Sequence, residues 1–134
     1  MVTRPDNSQD TICLLDDEPS VLKATGRLLM AEDWNVKPFT SPDAFLDYAQ
    51  VHQPRVAVID FRMPTMNGLE VQTRLSKVSP LTRVIVLTSD ESSSVRSNAL
   101  RAGASAFFLK PVHEEEFLAA VELAFQERLT RRST

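Results

Sequence analysis

Asp16, Asp17 and Glu18 follow one another directly after the apolar run TICLL. Adjacent carboxylates repel, and the repulsion grows as water is withdrawn, so such a cluster persists where a cation or a proton relieves it. Other apolar runs also end in polar groups: Asp60 closes VAVID, Thr88 and Ser89 close RVIVLT, and Lys110 with Pro111 follows SAFFL. If these runs are strands of one sheet, their ends deliver carboxylates, a hydroxyl and an ammonium to a single rim. Converging carboxylate oxygens suit a hard octahedral cation that keeps several waters, which describes Mg²⁺ better than Zn²⁺. Taken singly, each residue is ordinary. An acid after a strand can cap the next helix, Thr88 is β-branched and suits a strand, and Lys110 suits a solvated strand end.

The elements that would position these groups are legible as pattern. The runs TICLL, NVKPF, VAVID, RVIVLT and SAFFL have strand length, and several lack the alternation of a half-wet strand, so they read as interior parallel strands. NVKPF carries Pro38, which suits an edge. Between the runs lie stretches with helical spacing. Val21, Leu22, Thr25, Leu28 and Leu29 predict a helix from about Ser20 to Glu32 behind Pro19. Ser41, Pro42 and Asp43 form an N-cap, a first-turn proline and a first-turn acid, opening a second helix that buries Phe45, Leu46 and Ala49. A third is predicted from near Asn67 to Val78. The fourth, from SDESSSV to Ala102-Gly103, has the weakest pattern, because its serines compete for backbone hydrogen bonds. In the last, Phe117, Leu118, Val121, Ala124 and Phe125 form one stripe, with Glu114 to Glu116 at the positive end and Arg128 near the negative one.

Strands alternating with helices predict an α/β fold, a parallel sheet covered on both faces by right-handed crossovers. Five strands favour the flavodoxin-like, doubly wound (βα)5 order 2-1-3-4-5. In such sheets ligands sit outside the carboxyl ends of the strands, where the connections switch direction, here between the first and third strands. Asp16, Asp17 and Asp60 fall at that point.

Composition bounds the rest. At 134 residues, 43% hydrophobic and 25% charged, the chain has the size of one domain. Fifteen Lys and Arg against 18 Asp and Glu give a net charge of −3, no field to draw a polyanion, so nucleic acid is not expected as a direct partner of this domain. No uncharged stretch approaches membrane-spanning length and MVTRPDNSQD has no apolar core, which reads as a cytoplasmic protein. Cys13, inside TICLL, reads as a small buried hydrophobe, and the isolated His52 and His113 read as surface residues at a helix end and a helix start. Residues 1–10 are expected to be a flexible segment, 11–129 the domain, and 130–134 a polar tail that could begin a linker.

The acidic pair of LLDDEP, the stretch VIDFRMPTMNG, the hydroxyl of VLTS, the turn AGA at Ala102 to Ala104 and FFLKP occur in this order. By these motifs the chain resembles the receiver domains of two-component response regulators, most nearly those that precede helix-turn-helix output domains. The resemblance implies that Asp60 accepts a phosphoryl group from a sensor histidine kinase or a phosphotransfer protein. It implies Mg²⁺, replaceable by Mn²⁺, on Asp17, Asp60 and the backbone carbonyl of Arg62, with Asp16 acting mainly through water. Thr88 and Lys110 would hold phosphoryl oxygens, Phe107 falls at the family's aromatic switch position, and the Lys110-Pro111 bond is expected to be cis. The output, control of transcription, would pass through the fourth helix, fifth strand and fifth helix to an output domain or partner, with room for a homodimer on phosphorylation.

The chemistry is intelligible from the residues. A carboxylate attacking a dianionic phosphoryl group is blocked by repulsion unless a cation and Lys110 neutralise the transferring oxygens. Arg62, two residues after Asp60, and Asp90, two after Thr88, are expected to pair across the mouth of the site and hinder an attacking water. The alternative reading is a receiver-like module that works by protein contact without phosphorylation. A phosphatase with an Asp nucleophile fits less well, since it wants a second acid two residues on, where Arg62 stands. The acids after the first strand would repel the phosphate of FMN, against a flavodoxin-like carrier.

Overall fold

The computed structural model describes residues 11–133, with side chains through residue 126. The expectation for residues 1–10 lies outside the described residues. Strands β1 (Thr11–Leu15), β2 (Asn35–Phe39), β3 (Val56–Asp60), β4 (Arg83–Thr88) and β5 (Ala106–Leu109) alternate with helices α1 (Pro19–Met30), α2 (Pro42–His52), α3 (Gly68–Val78), α4 (Ser93–Arg101) and α5 (Glu114–Ser133). All strand pairs are parallel, in the order β2-β1-β3-β4-β5 expected of a flavodoxin-like sheet.

Because side chains alternate across a strand, each strand serves two cores. Cys13, Leu15, Ala57, Ile59, Val84 and Val86 pack under α2, α3 and α4, through Phe45, Ala49, Val71, Leu75 and Ala99. Ile12, Leu14, Val56, Val58, Ile85 and Leu87 pack under α1 and α5, through Leu22, Leu29, Phe117, Val121 and Phe125. The central strands are buried on both faces, which is why they read as continuous apolar runs. Phe107 and Phe108 split between the two cores, as adjacent strand residues must. Pro38 does stand on the edge strand β2, and Cys13 is fully buried, which pushes its thiol up to about 12.

The helix ends follow local chemistry. Ser41 Oγ accepts from Ala44 N at 3.2 Å and Asn67 Oδ1 from Glu70 N at 2.9 Å, capping α2 and α3. α1 stops at Met30, two residues short of the predicted Glu32, because the chain turns there and Asp33 takes a left-handed conformation, φ 68°. α5 continues in its backbone to Ser133, through the stretch read as a tail. His52 and His113 are exposed, at the end of α2 and immediately before α5.

Candidate functional site

β1, β3, β4 and β5 deliver their last residues to the same edge of the sheet. Leu15 pairs with Ile59, Asp60 with Leu87, and Thr88 with Leu109, so the residues that follow stand side by side. Asp16 and Asp60 are nearly buried, 4% and 6% exposed, and Thr88 is fully buried. Buried charges must be paired, and Lys110 provides the pairing. Its Nζ donates to Asp16 Oδ2 at 2.8 Å and lies 3.5 Å from Asp60 Oδ1. The Lys110-Pro111 bond is cis, as expected.

Backbone amides also donate to these groups. Asp16 Oδ1 accepts from Glu18 N at 3.0 Å, Asp60 Oδ1 from Arg62 N at 3.4 Å, and Thr88 Oγ1 from Asp90 N at 3.1 Å. The loop after β3, residues 61–67, closes where Gly68 N donates to Phe61 O at 2.7 Å. A Cβ on Gly68 would stand 2.6 Å from Phe61 Cδ1 and 2.7 Å from its Cα, so only glycine allows this return.

Electrostatics single out Asp60. Burial, reinforced by the charge of Asp16, raises its carboxyl from 3.8 to about 6, against the opposing pull of Lys110 and of the Arg62 amide. Burial alone would lower the Lys110 ammonium, yet the hydrogen bond to Asp16 and the charges of Asp60 and Asp16 outweigh it and leave Lys110 above its ordinary value. Perturbed groups of opposite sign at a sheet's switch point make this rim the candidate site.

Arg62 and Asp90 pair across the mouth: Arg62 Nε and Nη2 both donate to Asp90 Oδ2, Nε at 3.0 Å. The backbone amide of Ser92 and the Arg62 guanidinium hold the Asp90 carboxyl down at about 2. Asp17 is exposed beside Glu18. One oxygen from each of Asp16, Asp17 and Glu18 can lie within 4.8 Å of the others, a hard, anionic donor set that fits Mg²⁺ or Mn²⁺. Asp60 reaches the same rim from β3, with Lys110 between it and Asp16. Glu18, which reads equally well as a cap for α1, supplies the N-cap backbone but no side-chain cap bond.

The face formed by α4, β5 and the start of α5 adjoins this rim. Phe107 on β5 is half-buried, with the Arg96 guanidinium of α4 5.6 Å above its ring. Around it α4, β5 and the start of α5 enclose a cleft of about 450 Å³ lined by Ser93, Arg96, Phe107, Leu109, Val112 and Glu116.

A family model described as the response regulator receiver domain matches residues 12–122. The chain belongs to the response-regulator receiver family. Among curated relatives, this receiver domain is 32% identical over 120 residues to the response regulator protein TmoT of Ectopseudomonas mendocina, covering 90% of this chain and 54% of that one. It is also 32% identical over 114 residues to the transcriptional regulatory protein FixJ of Rhizobium meliloti, covering 85% and 56%. The receiver domain thus spans about half the length of these relatives. Among solved structures it is similar to a CheY-like receiver protein from Methanospirillum hungatei, with a TM-score of 0.86, 25% identity, and 92% and 99% of the two chains covered. The structure of FixJ-N aligns with a TM-score of 0.80 and 31% identity over 90% and 94%. Among the described residues, no helix of the receiver domain is long and apolar enough to cross a membrane.

Proposed function

We propose that the chain is a phosphorylation-activated switch: Asp60 accepts a phosphoryl group from a sensor histidine kinase or phosphotransfer protein, and the surface of α4, β5 and α5 changes to control an output. The observation that carries this reading is Asp60 itself, a nearly buried carboxylate beside Lys110, with a pKa raised to about 6. Near neutral pH it is ionised but poorly solvated, as a nucleophile should be. Lys110 Nζ, already between Asp16 and Asp60, is within reach of an oxygen on the incoming phosphorus. Attack by Asp60 Oδ forms the acyl phosphate as the bond to the donor's nitrogen or oxygen breaks, and the donor leaves with that electron pair.

Asp17 and Asp60, with the backbone carbonyl of Arg62, would hold Mg²⁺ or Mn²⁺, with Asp16 acting through water. When bound, the cation supplies positive charge against the phosphoryl oxygens. The new phosphoryl group adds about −1.5 to −2 charges beside Thr88, whose hydroxyl would leave the Asp90 amide to donate to it. The space so released admits Phe107, and α4 follows through Arg96. Hydrolysis of the acyl phosphate by the same site would reset the switch, slowed by the Arg62–Asp90 pair. The output is read as transcription, because relatives such as FixJ are named transcriptional regulators and the chain covers about half of each. The output would lie in a further domain or partner, with dimerisation through the same surface an additional route.

The test is incubation with a small phosphodonor and Mg²⁺, read by intact mass. The expected result is one added phosphoryl group, absent with chelator and absent in Asp60→Asn. Uptake by Asp60→Asn, or uptake indifferent to chelation, overturns the reading. A wild-type protein that stays unmodified would instead favour the phosphorylation-independent interaction module.

A further inference from the structure

α4 is the least secured helix of the domain, and its two ends are held very differently. Only Ala99 among its nine residues is buried. Its N-cap, Ser92, makes no side-chain cap bond, its first turn carries no acid, and its opening backbone bond, Arg96 N to Ser92 O, is 3.5 Å long. Beyond the Ser92 amide, which donates to Asp90 Oδ1 at 2.9 Å, this half is met by Val95, partly buried, and by the exposed Arg96 over the Phe107 ring.

The C-terminal end is tied down. Gly103 sits at φ 104°, donating to Leu100 O at 3.0 Å, while Ala104 N donates to Ala99 O at 3.1 Å, the paired bonds of a Schellman cap. Gln72 on α3 adds a tertiary bond, its Nε2 donating to the same Ala99 oxygen at 3.1 Å. One carbonyl, with its two lone pairs, therefore joins α3, the end of α4 and the chain entering β5.

Gln72 is 3% exposed and its Oε1 has no hydrogen-bond partner among the described residues. A half-satisfied amide in a core is costly, and an apolar side chain of similar volume would pack there without an orphaned oxygen. Turning the amide end for end would set two acceptors face to face, so the network itself assigns Nε2 to Ala99. The residue is explained by its one bond.

We infer that Gln72 is a positioning residue, the post about which α4 turns: it anchors the helix at Ala99, so a change at Thr88 and Phe107 swings the Ser93 end and leaves the Gly103 end in place. The inference rests on the switch reading above and adds the direction in which the helix moves.

Gln72→Met removes the donor together with the orphaned acceptor, and Ala99 O keeps Ala104 N. Its urea midpoint should therefore equal or exceed that of wild type, while amide exchange at Ala102, Gly103 and Ala104 quickens roughly 2- to 12-fold, the equilibrium weight of one neutral hydrogen bond. With Mg²⁺ and beryllium fluoride as the phosphoryl mimic, exchange in wild type should change at Arg96 to Asn98 and not at Ala102 to Ala104. In Gln72→Met the change should run through both. Unchanged exchange at Ala102 to Ala104 in the variant overturns the inference, as does a wild-type response equal at both ends of α4 or absent from it. The comparison without the mimic involves no phosphoryl chemistry, so it can fail while Asp60 still takes up phosphoryl mass, and the reverse.

Discussion

The strain stored at Asp60 is measurable as stability. Burial and the Asp16 charge raise its carboxyl from 3.8 to about 6, so the folded state holds this proton more tightly than the unfolded chain. For such a group the stabilising contribution is fully present below the unfolded value of 3.8 and is lost as pH rises through about 6. At about 1.36 kcal/mol for each tenfold change in proton affinity, the cost of carrying Asp60 as an anion is at most about 3 kcal/mol at about pH 7.5 and about 1 kcal/mol at about pH 4.5. Asp60→Asn keeps the shape and removes the charge. Without divalent cations the variant should be more stable than wild type by up to about 3 kcal/mol at about pH 7.5, with the advantage shrinking to about a third at about pH 4.5. Urea unfolding followed by Trp34 fluorescence reads this directly, since the chain's one tryptophan is buried and stacked on Phe125 at 4.3 Å. A variant no more stable than wild type at the higher pH would refute the reasoning, as would an advantage equal at both values.

Two further outcomes follow from the loop and the mouth of the site. In a double variant, Arg62→Ala with Asp90→Ala, the acyl phosphate should decay severalfold faster than in wild type, measured as loss of phosphoryl mass after the donor is removed; equal or slower decay rejects the shielding role. Gly68→Ala should cost roughly 1–3 kcal/mol in urea unfolding, because its Cβ would meet Phe61 backbone at 2.7 Å; a variant as stable as wild type would show that residues 61–67 relax freely.

Much of this was legible because the relevant physics is local. TICLL, VAVID and RVIVLT are apolar throughout since both faces of their strands are covered, and Ser41 and Asn67 announce the helices they cap. Asp16, Asp17, Asp60, Thr88 and Lys110 could be named because each ends or follows a strand, and parallel strands bring their ends to one rim. α1 ends two residues before its periodicity predicts, since a left-handed Asp33 has no periodic signature. An acid after a strand suits a helix cap, yet the Glu18 side chain caps nothing in α1, because its direction is not encoded in spacing. Gln72 stood inside a helical pattern with nothing to separate it from a surface glutamine.

By itself, then, the sequence determined the order of elements, the sheet edge to which the polar groups go, and the residue types gathered there, because these depend on periodicity, capping and chain direction. Only the tertiary structure decided which charges meet. Lys110 lies 94 residues from Asp16 along the chain, yet its Nζ is 2.8 Å from that carboxylate. The raised pKa of Asp60, the Arg62–Asp90 pair and the Gln72–Ala99 bond have the same origin, since distance and burial between remote residues exist only once the helices have packed on the sheet.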